Sequence, residues 1–240
     1  MATTDAGAKA GLETFEGINI DYEKAYQNNK FKIACVTKAI SILPSGSKVL
    51  DVGCGTGIPV SQMLSQAGLD VVGFDISPKM VQLAQSRVGG SFFGADMAEY
   101  EVEETFAGVF MIFAHLQMSY AAVHAAVYKY ARALQPGGII VLGQSPGDHQ
   151  VKEESAYDET RTYVEDYNVP FIGEPLPTFL MSAKGQRDFF QSMGLEIVSE
   201  TIDLFQPDNP RCDPEMQQYI IAKRLGDGPV SQPLPFPKTK

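Results

Sequence analysis

The chain is 240 residues long, 44% hydrophobic and 20% charged, with a formal net charge of −10. That length suits one large α/β domain with a substantial core. The acidic balance disfavours nucleic acid, whose affinity rests on phosphate neutralisation by Lys and Arg, and no apolar stretch approaches the roughly 20 residues that span a bilayer.

Residues 1–17, MATTDAGAKAGLETFEG, lack the charged-then-apolar pattern of a secretory signal and read as a flexible leader. The domain proper is expected over 18–224, beginning with a cap over 18–43. There Tyr22 and Tyr26 precede a helix whose Ile33, Val36, Ile40 and Leu43 form an apolar stripe. Val49 to Gly57, VLDVGCGTG, describes a strand running into a tight turn, because glycine tolerates positive φ and holds no side chain against a ligand. Ile58–Gly68 reads as the next helix, with Pro59 in its first turn. A strand over Val71–Phe74 ends in Asp75, and Ser77 caps a helix that opens on Pro78. A third strand, Ser91–Gly94, precedes Ala95, Asp96 and Met97.

Gly108–Phe113 is a continuous apolar run suited to a strand buried on both faces. Ser119 can cap a helix carrying Val123, Val127, Ala131 and Leu134, which Gln135-Pro136-Gly137-Gly138 breaks before a strand over Ile139–Leu142. Residues 145–181 form an insertion rich in Tyr, Phe, Pro and acid. After it come a helix closed by Gly194, a strand over Leu195–Phe205 and a last strand over Gln218–Lys223. The Pro-rich tail over 225–240 is expected to be extended or disordered and available to a partner chain. Cys35, Cys54 and Cys212 are scattered with no C-x-x-C pair, which argues against a disulfide framework or a zinc site and for a reducing cytosol.

A strand, a glycine-rich turn and a helix N-terminus are a common geometry for nucleotide-like ligands. A dinucleotide fingerprint places its third glycine where this chain has Ile58, so an oxidoreductase is disfavoured. At Asp75 a strand-end carboxylate suits the two hydroxyls of a ribose. VLDVGCGTG resembles the first motif of class I S-adenosylmethionine-dependent methyltransferases, and the L-x-P-G-G turn at Leu134–Gly138 is another feature of that family. The resemblance spans about residues 18 to 224 and is most specific between Val49 and Gly138.

It implies a Rossmann-like α/β fold, a mostly parallel seven-stranded sheet with helices on both faces and its last strand antiparallel, read as an edge strand. It also implies S-adenosylmethionine as cofactor. Tyr22 is expected at the amino acid end of the cofactor and Asp96 at the exocyclic amine of adenine, with Met97 at the ring edge. Asp51, Gly53, Cys54, Gly55, Ile76 and Phe113 complete the cofactor-binding set. Cys54 is read as a small residue that fits the turn rather than as a nucleophile.

The chemistry expected is transfer of a methyl group to an O, N or C atom of a small organic acceptor, chiefly by in-line alignment. His149 and His115 are the candidate general bases, each near a strand's carboxyl end, while His124 reads as structural. No carboxylate cluster marks a magnesium site. After the fourth strand the chain reads Phe113-Ala114-His115-Leu116, not the N-P-P-Y type of signature of enzymes that methylate base amines, and there is no double-glutamate loop of the protein arginine type. From Val151 to Met181 there are seven acids and two bases. Their aromatic neighbours, Tyr163 and Tyr167 among them, suit a cationic amine, although each acid alone reads as solvated surface. The alternative is a cofactor-binding protein of this fold that transfers no methyl, either a scaffold or a catalyst of rearrangement or cyclisation. Oligomeric state leaves no signal in the sequence.

Overall fold

A computed structural model of the protein describes residues 12, 17 and 20–238, so the leader expected over 1–17 lies outside the described residues apart from Leu12 and Gly17. Helical residues 20–26 (α1) lead into α2 (Lys30–Ile42), β1 (Lys48–Val52), α3 (Val60–Gln66), β2 (Asp70–Asp75), α4 (Pro78–Arg87) and β3 (Ser91–Gly94). Then come β4 (Phe106–Ile112), α5 (Tyr120–Arg132), β5 (Leu134–Gln144) and α6 (Gly147–Gln150). A hairpin of β6 (Tyr163–Phe171) and β7 (Glu174–Met181) follows, then α7 (Ala183–Ser192), β8 (Leu195–Phe205) and β9 (Glu215–Arg224).

Seven strands form one sheet in the order β3-β2-β1-β4-β5-β9-β8, and β6 pairs with β7 in a separate two-stranded sheet. β1 to β5 are mutually parallel, while β9 runs antiparallel to both β5 and β8. The expected antiparallel last strand is present, but it is not an edge: β9 lies inside the sheet and β8 forms the border. Six consecutive buried residues, Gln217 to Ala222, are what an interior strand requires.

Side chains alternate between two cores, following the period of two along each strand. Leu50, Val52, Val109, Met111, Ile140 and Leu142 pack with α5 and α7 on one face. Val49, Val71, Phe110, Ile139, Val141 and Ile221 pack with α2, α3 and α4 on the other. The caps at Ser77 and Ser119 form as expected, each hydroxyl accepting from the N–H three residues on, Met80 and Ala122, at 3.3 Å.

Four boundaries differ from the expected ones. α3 is only Val60–Gln66, because the turn consumes Gly57 and Ile58 and Pro59 becomes the N-cap. The buried face of α2 runs through Lys32, Cys35, Val36 and Ala39, with Ile33, Ile40 and Leu43 half-buried at its margin. Small residues at 35 and 39 fit a helix laid against the sheet. Pro136-Gly137-Gly138 does not precede β5 but interrupts it: Leu134 pairs with Phe106, and the register slips before Ile139 pairs with Gly108. The insertion over 145–181 is chiefly the β6–β7 hairpin, whose weak alternation hid it.

The tail is extended, as expected, but it lies against its own domain. Val230 is buried in the α5/α7 core. Ser231 N–H donates to Met193 O at 3.2 Å and Leu234 N–H to Ser192 Oγ at 2.9 Å. His124 Nε2 lies 2.7 Å from Pro233 O, and the Tyr120 hydroxyl donates to Pro235 O. One buried valine and a few hydrogen bonds of roughly 1 kcal/mol each amount to about 3 kcal/mol. Deleting residues 229–240 is therefore expected to lower Tm by roughly 10 °C in a thermal melt, and an unchanged Tm would show that the strap adds nothing.

Candidate active site

Chain direction diverges between β1 and β4, and a crevice opens there at the carboxyl ends of the strands, the usual ligand position in open α/β sheets. The glycine turn after β1 forms its floor, and its three glycines serve different ends. At Gly53 (φ 67°) a Cβ would lie 2.5 Å from the Ala114 Cβ, so glycine lets the loop after β4 come close. At Gly57 (φ 80°) a Cβ would meet Val88 Cγ2 at 2.9 Å, under α4. Gly55 (φ 55°) has no atom within 4 Å of where its Cβ would stand, and it lines the cavity.

The turn is pinned from β2. Cys54 N–H donates to Phe74 O at 2.9 Å, and Gly55 N–H donates to Asp75 Oδ2 at 2.9 Å. The other carboxylate oxygen, Asp75 Oδ1, accepts from Ser77 N–H at 2.9 Å. Burial raises the Asp75 pKa, and these backbone donors work against that shift by favouring the ionised form.

A cavity of about 130 Å³ sits on this floor. Gly53, Gly55, Asp75 and Ile76 line one side. Asp96, Met97, Phe113 and Tyr22 line the rest, so eight of the ten expected cofactor residues converge on one space. Asp96 Oδ1 accepts from Ala98 N–H at 2.8 Å.

The other two do not line it. Asp51 is buried behind the turn and accepts from Ser61 Oγ at 2.5 Å, joining β1 to α3. Cys54 is buried beneath the turn, where desolvation pushes its thiol far up, so it packs there and is not a thiolate.

Neither candidate base reaches a described cavity. His115 is 0% exposed, edge-on to Phe179 with ring centroids 6.2 Å apart, and neither ring nitrogen has a partner among the described residues. Burial lowers it to about 4, which keeps the ring neutral. It points into the core rather than to the strand edge. His149 is exposed on α6 and lines neither cavity.

A second, smaller cavity of about 40 Å³ shares Tyr22, Phe113 and Gln117 with the first. Phe113 takes a left-handed φ of 58°, costing on the order of 1–3 kcal/mol in a non-glycine residue, and its N–H is held by Gly143 O at 2.9 Å. The insertion supplies Val169, Phe171, Leu176 and Leu180 as an apolar wall, while its acids stay outside. Tyr163 stacks on Tyr120 at 3.8 Å, and Tyr167 donates its hydroxyl to Glu153 at 2.8 Å, so neither faces the cavity.

Beside this cavity lies a buried polar network that has no local sequence signal. Asn29 Nδ2 donates to Gln217 Oε1 at 2.6 Å and to the Tyr219 hydroxyl at 3.1 Å. Gln217 Nε2 donates to Glu215 Oε1 at 2.5 Å. Lys32 is only 5% exposed, its Nζ 5.7 Å from the Phe113 ring centroid and 5.9 Å from that of Tyr26. Burial lowers it to about 8, against the pull of the Glu215 and Asp51 carboxylates. Partners such as Asn29 and Gln217 lie 188 positions apart, beyond any local pattern.

Residues 49–138 match a family described as "Methyltransferase domain". That match covers 90 of the chain's 240 residues, the stretch that holds the glycine turn, Asp75 and Asp96. The chain is 25% identical over 175 residues to the O-methyltransferase cnsE of Penicillium expansum, covering 70% of this chain and 58% of that one. It is 29% identical over 102 residues to the dTDP-3-amino-3,4,6-trideoxy-alpha-D-glucopyranose N,N-dimethyltransferase of Streptomyces venezuelae, covering 41% and 43%. The chain thus spans about half the length of these curated relatives. Its fold matches magnesium protoporphyrin IX methyltransferase from Synechocystis PCC 6803, solved with bound SAH, at a TM-score of 0.63 and 17% identity, covering 91% of this chain and 99% of that one. Among the described residues, no helix is long and apolar enough to cross a membrane.

The Asp51–Ser61 pair has a pH signature. Burial, first among the causes, raises the Asp51 carboxyl to about 7 despite the Ser61 hydrogen bond. The folded chain therefore keeps a proton that the unfolded chain releases near pH ~4. That stabilisation is complete below the unfolded value and is lost as pH rises through the folded one. Asp51→Asn, which retains an oxygen for Ser61, is expected to gain stability over the parent as pH rises from about 4 to about 8 in urea unfolding. A difference independent of pH would show that Asp51 is ionised throughout.

Proposed function

We propose that this protein is a methyltransferase that moves a methyl group from S-adenosylmethionine to a small organic acceptor in the cytoplasm. The observation that carries the reading is the pair of cavities meeting at Tyr22, Phe113 and Gln117, one floored by the glycine turn and flanked by Asp75 and Asp96, the other mostly apolar. Free thiols at Cys35, Cys54 and Cys212 support a reducing compartment.

The first cavity fits the donor. A Cβ at Gly55 would project into open space there, and Asp75 is already oriented by two backbone N–H groups. In this reading Asp75 holds the ribose hydroxyls, Asp96 the exocyclic amine, and Ile76 and Met97 the adenine faces and edge. Tyr22 and the backbone of Gly53 and Gly55 hold the amino acid end. When bound, the sulfonium supplies an electrophilic methyl carbon.

The protein's own share is alignment and exclusion of water. Tyr22 and Phe113 form the partition at which the two cavities join, so they set the approach of a nucleophile. Neither His115, sealed and neutral, nor His149, outside on α6, is given a catalytic part.

A charged carboxylate hydrogen bond contributes about 1.5–3 kcal/mol, so Asp75→Ala is expected to weaken binding of S-adenosylhomocysteine roughly 10- to 100-fold by calorimetry. Unchanged affinity in a folded variant would refute the ribose assignment. With a methyl-labelled donor, the label is expected in the acceptor product. Product formed without label would replace methyl transfer by rearrangement or cyclisation.

A further inference from the structure

The second cavity has a lining that selects for charge. Among the described residues Glu215 is its one carboxylate, and no Lys, Arg or His lines it. Three of its lining rings form one packed cluster on a single side: Tyr22 and Tyr26 have centroids 4.9 Å apart, Tyr22 and Phe171 5.9 Å, and Tyr26 and Phe171 6.3 Å. The rest of the wall includes Leu116, Val169, Leu176 and Leu180. Glu215 is held in place from two sides, by Gln217 Nε2 at 2.5 Å and by the Tyr26 hydroxyl at 3.5 Å.

We propose that this cavity takes the methyl acceptor as a small amine carrying an apolar group, with the Glu215 carboxylate as partner of the nitrogen and the ring cluster of Tyr22, Tyr26 and Phe171 as its aromatic wall. The inference rests on the methyl-transfer reading and names its substrate class. Aromatic faces attract an ammonium, and a carboxylate in an otherwise apolar lining, held by the neutral Gln217 amide and Tyr26 hydroxyl, favours a cation over an anionic group. A carboxylate acceptor would meet Glu215 with like charge. An alcohol would gain nothing from the ring faces beyond contact. Lys32 is not part of the lining, and its ammonium is directed at the Phe113 and Tyr26 rings.

Glu215 also suits the proton step. The bound ammonium gives one proton to the carboxylate. The freed nitrogen lone pair then forms the N–C bond to the methyl carbon as the C–S bond breaks, and that bonding pair stays on sulfur in the neutral thioether. The methylated amine leaves as an ammonium, and Glu215 returns its proton to water. Burial raises the Glu215 pKa, which brings it towards the range of a useful proton acceptor.

The test uses the full chain loaded with S-adenosylhomocysteine, titrated calorimetrically with benzylamine, benzyl alcohol and benzoate. Benzylamine is expected to bind at least about tenfold tighter than the alcohol, with benzoate weakest. Glu215→Gln is expected to abolish that preference while leaving S-adenosylhomocysteine affinity intact. No benzylamine binding, equal or tighter binding of the alcohol or benzoate, or a preference that survives in Glu215→Gln, would each overturn the assignment. If Glu215→Gln does not fold, the wild-type ranking decides, together with Phe171→Leu, which is expected to weaken the amine several-fold and spare the alcohol. Because the S-adenosylhomocysteine titration is read separately, failure of the donor site and failure of the amine assignment are distinct results.

Discussion

Two backbone N–H groups, from Gly55 and Ser77, converge on the carboxylate of Asp75. Gly55 belongs to the turn after β1 and Ser77 to the cap of α4, so one side chain fixes two loops that would otherwise move independently. The floor of the larger cavity, the start of α4 and the position of Ile76 all follow from that joint. The N–H groups also favour the ionised form, working against the burial that raises the Asp75 pKa. What the Asp75 oxygens offer a ligand is therefore set before any ligand arrives.

The second constraint is close approach. Gly53 stands where any side chain would collide with Ala114, and Ala114 follows Phe113, whose backbone is held in a left-handed conformation. The chain leaving β4 is thus pressed against the chain leaving β1, and the Phe113 ring becomes the divider between the two cavities. Strain at a residue shared by both cavities is offset in part by Gly143 O, which accepts the Phe113 N–H at 2.9 Å.

Much of the parallel half of the sheet was legible because its signals are local. Val49 to Gly57, Asp75 with Ser77 and Pro78, and Asp96 with Met97 each lie within a few residues of one another, and eight of the ten residues expected at the cofactor do line one cavity. Asp51 and Cys54 belong to the same motif but turn away from it, a difference of side-chain direction that the motif does not encode. The histidines lie outside both cavities for a related reason. Closeness to a strand end placed His115 and His149 near the chemistry, yet one rotates beneath Phe179 and the other outward on α6. The acceptor side was least legible, since Glu215, Lys32, Asn29 and Gln217 meet only when β9 threads between β5 and β8. Acids were expected to matter, but those of the insertion are outside, and the one that lines the cavity comes from a strand that had no acidic signature.

The wall of the smaller cavity is carried by a ribbon with its own register, β6 on β7, outside the seven-stranded sheet. Replacing side chains on that ribbon, or lengthening its turn, leaves the ladder that fixes Gly53, Asp75 and Asp96 untouched. The lining of the smaller cavity can therefore vary on one pair of strands while that of the larger cavity is inherited unchanged. A graft of this hairpin between related scaffolds is the natural unit for retargeting.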